Sequence, residues 1–267
     1  MIACTNLMVE CPLFPLFLVA AILFGLAVGS FSGCMSYRIA HEWQLFKPSG
    51  SHCPSCKKAL RWYENIPLLS FILQRGTCRG CAAKLSIIYP IAELSYALWS
   101  AFLFWRYGLT VEYGVFMAIG LVLLLISMVD LEAYFIPDLF VTVGCVLAAG
   151  ASIMGIGVGI KDAALGAAVG AGIMQALRLI YMRMRQEEGM GYGDVKLLLF
   201  LGLCVGLLGL AYVLLMASVL AIVCTLIAKW GSVDRSTRLP FGPYLCAGCA
   251  LYMLFHSAIL QFFGFTS

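Results

Sequence analysis

The sequence predicts an all-α polytopic membrane protein with a small cytoplasmic zinc-binding domain between its first and second spans. Three observations predict it. The chain is 63% hydrophobic and 11% charged, with a mean hydropathy of +0.98, whereas soluble domains carry about 25% charged residues. Apolar runs recur at the length that crosses a bilayer, about 20 residues. A single polar segment, residues 36–85, is long enough to be a separate domain and carries two C-x-x-C pairs.

The expected spans, about eight in all, are residues 12–31, 86–105, 111–129, 136–154, 163–182, 195–208, 209–228 and 241–263. Residues 1–30 hold no Lys or Arg, so the opening run reads as a permanent span and not as a cleaved signal peptide. The run from 195 to 228 is too long for one crossing, and a break is expected near Gly206 to Gly209. The chain then divides into a first span (1–35), the cysteine domain (36–85) and a larger membrane domain (86–267).

Basic residues set the orientation, because Lys and Arg concentrate in cytoplasmic loops. Arg38, Lys47, Lys57, Lys58, Arg61, Arg75, Arg79 and Lys84 follow the first span. Arg183 and Arg185 follow the fifth, and Lys229, Arg235 and Arg238 follow the seventh. The opposite loops hold only Arg106 and Lys161. This threading puts both termini outside. It also puts Asp130 and Asp194 at the cytoplasmic boundary, although neither was used to fix it.

Within the polar segment, Cys53-Pro54-Ser55-Cys56 and Cys78-Arg79-Gly80-Cys81 form two knuckles. Their spacing matches a tetrahedral four-thiolate zinc site. With all four positions taken by protein, the zinc would be structural, and its binding would supply folding energy of about 10–16 kcal/mol. The alternative is a pair of reduced, unliganded knuckles. Cys246-Ala247-Gly248-Cys249 lies in an apolar run without a second pair and reads as helix packing. His41, His52 and His256 form no cluster.

Acids at membrane boundaries are functional candidates, since an Asp at a helix centre costs about 2.5–3.5 kcal/mol on insertion scales. Asp162 is expected to cap the fifth span and Asp138 the fourth. Glu93, inside the second span, is expected to pair with a basic residue. Asp194 follows Gly189-Met190-Gly191-Tyr192-Gly193. The glycines of that run allow positive φ and close packing against a substrate or another helix. Three readings stand for Asp194: a helix N-cap, an ion pair with Lys196, or half of an acid pair with Asp130. In an acid pair one group keeps its proton and the other activates a water, as in aspartic proteases.

In this order, these residues resemble the bacterial type IV prepilin peptidases (prepilin leader peptidase/N-methyltransferases), membrane aspartic proteases of the Gly-x-Gly-Asp class. The resemblance covers residues 29–244. It rests on Gly29-Ser30-Phe31, both knuckles, Glu64-Asn65-Ile66-Pro67, Arg75-Gly76-Thr77-Cys78, Tyr89-Pro90 with Glu93, the block from Asp130 to Asp138, Gly189 to Lys196, and Pro240-Phe241-Gly242-Pro243-Tyr244. It implies Asp130 and Asp194 as the catalytic pair, with Asp138, Gly191, Gly193 and Lys196 in support. It implies cleavage of a basic leader after a glycine, on the cytoplasmic face of the inner membrane. The substrates would be type IV prepilins or the pseudopilins of type II secretion.

The resemblance further implies N-methylation of the new terminus, usually Phe, from S-adenosylmethionine, with Glu64 and Gly76 as candidates for that half. Glu132, Glu187 and Glu188 are expected to attract the basic leader. Gly33 and Ala40 depart from the pattern, standing where such proteins usually carry Asn and Pro. The competing readings are a peptidase without methyl transfer, a carboxylate-based membrane transporter, and a membrane-anchored zinc module without chemistry. The implied partners are pilin-type substrates and the lipid bilayer, with no nucleic acid.

Overall fold

The computed structural model describes residues 12–43, 50–185, 191–228 and 240–262. Lys47, Glu187, Glu188, Gly189, Met190, Lys229, Arg235 and Arg238 lie outside the described residues, and with them the first half of the glycine run. The chain divides into two compact units, residues 1–128 and 129–267. Among the described residues the regular structure is helical, apart from two isolated β-bridges, His52 with Ala59 and Thr77 with Lys84.

The first unit holds α1 (Phe14–Ala40), a 3-10 turn (Trp62–Glu64), α2 (Leu69–Leu73), α3 (Ile88–Tyr107) and most of α4 (Val111–Ala133). Helix α1 begins with Pro15 in its first turn, where a missing N–H costs nothing. It runs past the expected span end at 31 and carries Arg38 in its last turn. Lipid tails are as apolar as leucine, so helices here associate through close packing and hydrogen bonds, not through water exclusion. Small residues supply that packing. A Cβ on Gly25 would stand 2.7 Å from the Ala97 Cα, and one on Gly29 would stand 2.7 Å from the Glu93 Cα. The Ser100 hydroxyl donates to the Ala21 carbonyl at 2.8 Å across the same seam. Tyr96 and Trp99 then tie α3 to α4 by donating to the Met117 and Phe116 carbonyls.

The second unit holds the last turns of α4, then α5 (Asp138–Ile153), α6 (Ile160–Arg185), α7 (Tyr192–Ala228) and α8 (Gly242–Phe262). Its core is Leu197, Phe200, Leu201, Val205 and Val213 of α7 with Leu245 of α8, none more than 1% exposed. Helices α6 and α7 meet on glycine, since a Cβ on Gly166 would stand 2.6 Å from the Gly206 carbonyl carbon.

Helix α7 breaks at Gly206 (φ 71°, ψ −173°), within the expected interval. Asp162 does not cap its own helix as expected. Its carboxylate reaches across to accept the Leu207 N–H at 3.2 Å, so it restarts the second half of α7. Any Cβ at 206 would run into that carboxylate, and the positive φ independently favours glycine there.

Helices overlie all eight expected intervals, with α7 covering two of them, but among the described residues fewer than eight have the length and composition of a crossing, and α3 is not one of them. By length and composition, Phe14–Ala40, Val111–Ala133, Ile160–Met184, Tyr192–Ile227 and Gly242–Ile259 can cross a membrane, and Asp138–Ile153 is a shorter apolar helix. Large apolar side chains cover the outward faces, for example Leu16, Leu23 and Phe24 on α1 and Leu215, Ile222 and Leu226 on α7. The protein is therefore a multi-pass helical membrane protein.

Candidate active site and metal centre

The second unit holds both Asp130 and Asp194. Asp130 lies near the end of α4 and is 6% exposed. Just beyond it the chain turns sharply: Tyr134 adopts φ 56° and its N–H returns to the Asp130 carbonyl at 3.0 Å. Pro137, extended at φ −67° and ψ 125°, then starts α5. Asp194 lies in the first turn of α7, with its N–H bonded to the Gly191 carbonyl at 3.2 Å. The half-buried Asp194 carboxylate is within electrostatic reach of Asp130.

Asp130 meets a second helix end. Its Oδ2 accepts the Gly242 N–H at 3.0 Å, at the start of α8. The first N–H groups of a helix have no partner within it, and the helix dipole favours an anion there. Both carboxylates thus sit at helix N-termini, Asp130 at that of α8 and Asp194 in the first turn of α7. This opposes the cost of burying a charge. A Cβ on Gly242 would stand 2.6 Å from Asp130 Oδ2, so only glycine allows the approach. Sequence reasoning gave Gly242 no role. The available signal was Pro240-Phe241-Gly242-Pro243 ahead of an apolar run, which marks a helix start.

The neighbouring residues correct several expectations. Lys196 pairs with Asp138 at 2.7 Å and not with Asp194. Asp138 does not cap α5; it is the first helical residue after Pro137, and its side chain serves the Lys196 pair. That side chain is 70% exposed. Asp194 is not an N-cap either, since α7 already begins at Tyr192. Neither Gly191 nor Gly193 takes positive φ. Gly193 instead allows close approach, because a Cβ there would stand 3.1 Å from the Ile136 Cβ. A Cβ on Gly191 would meet Asp194 Oδ2 at an ordinary 3.9 Å. The Lys196 ammonium also lies 4.7 Å from the Tyr192 ring centre, a cation–π contact. Glu132 is exposed on the last turn of α4.

The first unit holds the cysteine centre. The four Sγ atoms of Cys53, Cys56, Cys78 and Cys81 lie within 4.8 Å of one another. Cys53 and Cys81 are 3.8 Å apart, and Cys56 and Cys78 are 4.0 Å apart. A tetrahedral zinc–thiolate site with bonds of about 2.3 Å places its sulfurs about 3.8 Å apart. The donor set therefore fits a tetrahedral metal ion.

The two knuckles repeat each other. Lys57 and Ala82 hold the same left-handed position (φ 57° and 55°), and their N–H groups return to the Cys53 and Cys78 carbonyls. The Cys53 and Cys78 N–H groups bond the Lys58 and Ala83 carbonyls in turn. The N–H groups of Gly80 and Cys81 point at the Cys78 sulfur and hold its thiol down at about 7. A lowered thiol pKa favours the thiolate that binds metal.

Glu64 and Gly76 flank this centre. Glu64 is 7% exposed. It accepts the Arg61 N–H at 2.9 Å and faces the Lys58 ammonium at 3.6 Å. The Arg61 N–H, assisted by Lys58, holds its carboxyl below the usual range. Gly76, at φ 67°, turns the chain into the second knuckle, with its N–H on the Phe71 carbonyl and its carbonyl on the Leu85 N–H. Glu93 lacks the expected basic partner: among the described residues it bonds the Leu68 N–H at 2.7 Å and the Ser30 hydroxyl, without an ion pair.

The fold and these two centres define a multi-pass helical membrane protein with a four-cysteine cluster in one unit and a carboxylate pair in the other. Two family models match it. The Bacterial Peptidase A24 N-terminal domain covers residues 23–107, and the Type IV leader peptidase family covers residues 117–226. The prepilin leader peptidase/N-methyltransferase of Pseudomonas putida is 33% identical over 276 residues, covering 93% of this chain and 96% of that protein. The protein of the same description from Stutzerimonas stutzeri is 32% identical over 253 residues (86% and 87%), and that from Pseudomonas aeruginosa is 31% identical over 276 residues (93% and 95%). The chain belongs to the type IV leader peptidase family. No solved structure matches it significantly.

Proposed function

We propose that this protein is a prepilin leader peptidase and N-methyltransferase of the bacterial inner membrane, with Asp130 and Asp194 as its catalytic pair. The observation that carries this reading is the buried Asp130 carboxylate, bonded to the start of α8 and within electrostatic reach of Asp194. One carboxylate takes a proton from a water. The other, protonated, gives its proton to the scissile carbonyl oxygen and takes one back as the C–N bond breaks, while the first passes the water's proton to the leaving amine. The Lys196–Asp138 pair ties the start of α7 to the start of α5. Gly193 lets the loop before α5 pack against the same turn, and Gly191 precedes it. We assign peptidase chemistry to residues 86–267.

The substrate is a prepilin or pseudopilin with a basic leader on the cytoplasmic side, cleaved after a glycine. An apolar pilin helix in the bilayer presents its scissile bond at the boundary where the two acids stand. Methyl transfer from S-adenosylmethionine to the new terminal amine is assigned to residues 36–85, with Glu64 and Gly76 shaping that part. The cysteine cluster holds structural zinc, which ties the two knuckles together and takes no part in either reaction.

The test incubates the purified protein with a prepilin and labelled S-adenosylmethionine and reads leader loss and the added methyl by mass spectrometry. Wild type is expected to do both. Asp130→Asn and Asp194→Asn are expected to stay folded and fail to cleave. Normal cleavage by either variant rejects the pair and makes Asp138 the next acid to examine.

A further inference from the structure

Residues 36–85 are polar enough to be expected in the cytoplasm, yet α2 within them is Leu69-Ser70-Phe71-Ile72-Leu73. Leu69, Ile72 and Leu73 are exposed, Ile72 to 69%. Residues three and four apart share one face of a helix, so these three form a single apolar stripe. Ser70 and Phe71 turn the other way and line an internal cavity of the first unit. A helix with one packed face and one exposed apolar face lacks the polar outer side of a helix in water.

Hydrogen bonds tie the start of α2 to α1 and α3. Leu68, which precedes α2, donates its N–H to the Glu93 carboxylate at 2.7 Å, and the same carboxylate bonds the Ser30 hydroxyl of α1. Glu93 packs directly on α1, since a Cβ on Gly29 would stand 2.7 Å from its Cα. Ser30 lies on the membrane side of both the expected span end at 31 and Arg38, the first basic residue of the chain. The chain leaves α1 at Ala40 and returns at Leu68 to the level of Ser30. Leu68 takes φ 57° there, a conformation rare for a residue with a Cβ. The Glu93 carboxylate holds that turn in place.

The surroundings of α2 continue its stripe. Gln74, just after α2, donates from Nε2 to the Glu64 carbonyl at 3.2 Å, which ties the end of α2 to the 3-10 turn that carries Trp62. Trp62 is 80% exposed. On α3, which packs along α1, Ile91, Leu94 and Leu98 are exposed at helical spacing. The exposed charges between residues 61 and 87 are all basic (Arg61, Arg75, Arg79 and Lys84), because the one acid there, Glu64, is buried.

We propose that α2 and Trp62 insert into the cytoplasmic leaflet, so that the cysteine domain rests against the membrane on an apolar foot flanked by basic side chains. The stripe is covered by the boundary between phospholipid headgroups and acyl chains, with anionic headgroups favoured. Tryptophan concentrates at that depth. Apolar helix faces bury there, and Lys and Arg beside them attract anionic lipid. Part of the segment expected in the cytoplasm therefore returns to the bilayer.

The test replaces Ile72 by the photo-crosslinking residue p-benzoylphenylalanine in the full-length protein, held in vesicles of phosphatidylethanolamine and phosphatidylglycerol. A cooperative thermal melt like that of wild type reports that the variant is folded, and mass spectrometry identifies the adducts. Phospholipid adducts are expected at 72, as at the exposed Leu23 of α1, and not at the exposed Ser55 of the first knuckle. Phosphatidylglycerol should exceed its share of the vesicle among the adducts at 72, and Arg75→Gln with Lys84→Gln should bring it back to that share. Absence of lipid at 72 beside a labelled 23 overturns the proposal. So does equal labelling at 55, or an adduct to a second copy of the chain or to added prepilin in place of lipid. Adducts that match the vesicle composition before any Arg or Lys is changed overturn the part given to the basic residues. Should the variant at 72 fold poorly, Leu73 on the same stripe takes its place.

Discussion

The two centres are built in opposite ways. The cysteine centre is made by short-range turns. Each knuckle closes on itself within a few residues, and the two copies match bond for bond. The carboxylate centre is made by helix ends that are remote in sequence. Asp130 closes α4 and reaches Gly242 at the start of α8, a separation of 112 residues. The first centre joins its two halves at four sulfurs that could hold one metal ion. The second needs a packed set of helices before its acids can meet. Damage to each is therefore expected to spread differently.

The largest expected effect is on the acids. Asp130→Asn or Asp194→Asn removes a proposed proton-transfer group and should lower leader cleavage by about 10²–10⁴-fold. The cysteine centre should stay intact, as read by metal content and methylation of a pre-cleaved pilin. Next comes metal removal. Chelation, or Cys53→Ser with Cys78→Ser, takes away a binding energy of about 10–16 kcal/mol in comparable thiolate sites. Residues 50–85 should become protease-sensitive, and methylation should be lost before cleavage is. Simultaneous loss of both activities at low chelator would erase the contrast between the centres.

Gly242→Ala sharpens the comparison. Its Cβ would stand 2.6 Å from Asp130 Oδ2. The carboxylate must move, and a displacement of about 1 Å can cost about 10²-fold in rate. Turnover should fall while the protein still folds. A smaller effect is expected from Lys196→Met. The Lys196–Asp138 pair is largely exposed on the Asp138 side, and such pairs contribute about 0.2–1 kcal/mol. A slight drop in thermal stability with modest loss of cleavage is the expected result.

The smallest effect concerns pH. The folded pKa of Glu64 lies below its ordinary 4.5. Its contribution to stability is complete above that value and is lost as pH falls through the lower folded value. Glu64→Gln should lower the melting temperature slightly at neutral pH and flatten the acid limb, so that the two profiles converge well below pH 4.5.

The sequence revealed these regions unequally, for the same physical reason. Paired C-x-x-C spacing is a local code, and the four sulfurs meet as that code implies. Apolar run length was likewise sufficient for the helices and for the break at Gly206. Long-range partners were not legible. The Asp162 carboxylate serves Leu207, 45 residues away, instead of its own helix. Lys196 had two acids within plausible reach, and only the packing of α7 against α5 selects Asp138. Glu93 looked like half of an ion pair, yet a backbone N–H from the Leu68 turn satisfies it. In each case the deciding contact comes from an element whose position no local pattern encodes.

The bond from Gly242 to Asp130 also bears on inheritance. Its donor is main chain, and proline alone among the encoded residues lacks that N–H. Eighteen of the nineteen possible replacements at 242 would therefore keep the donor, a count that follows from which residues carry an N–H. All nineteen would add a Cβ where the Asp130 carboxylate lies. Selection at this position thus acts on empty space and not on a functional group. A survey of every codon at 242 should yield variants ranked by bulk, with no chemical class rescued.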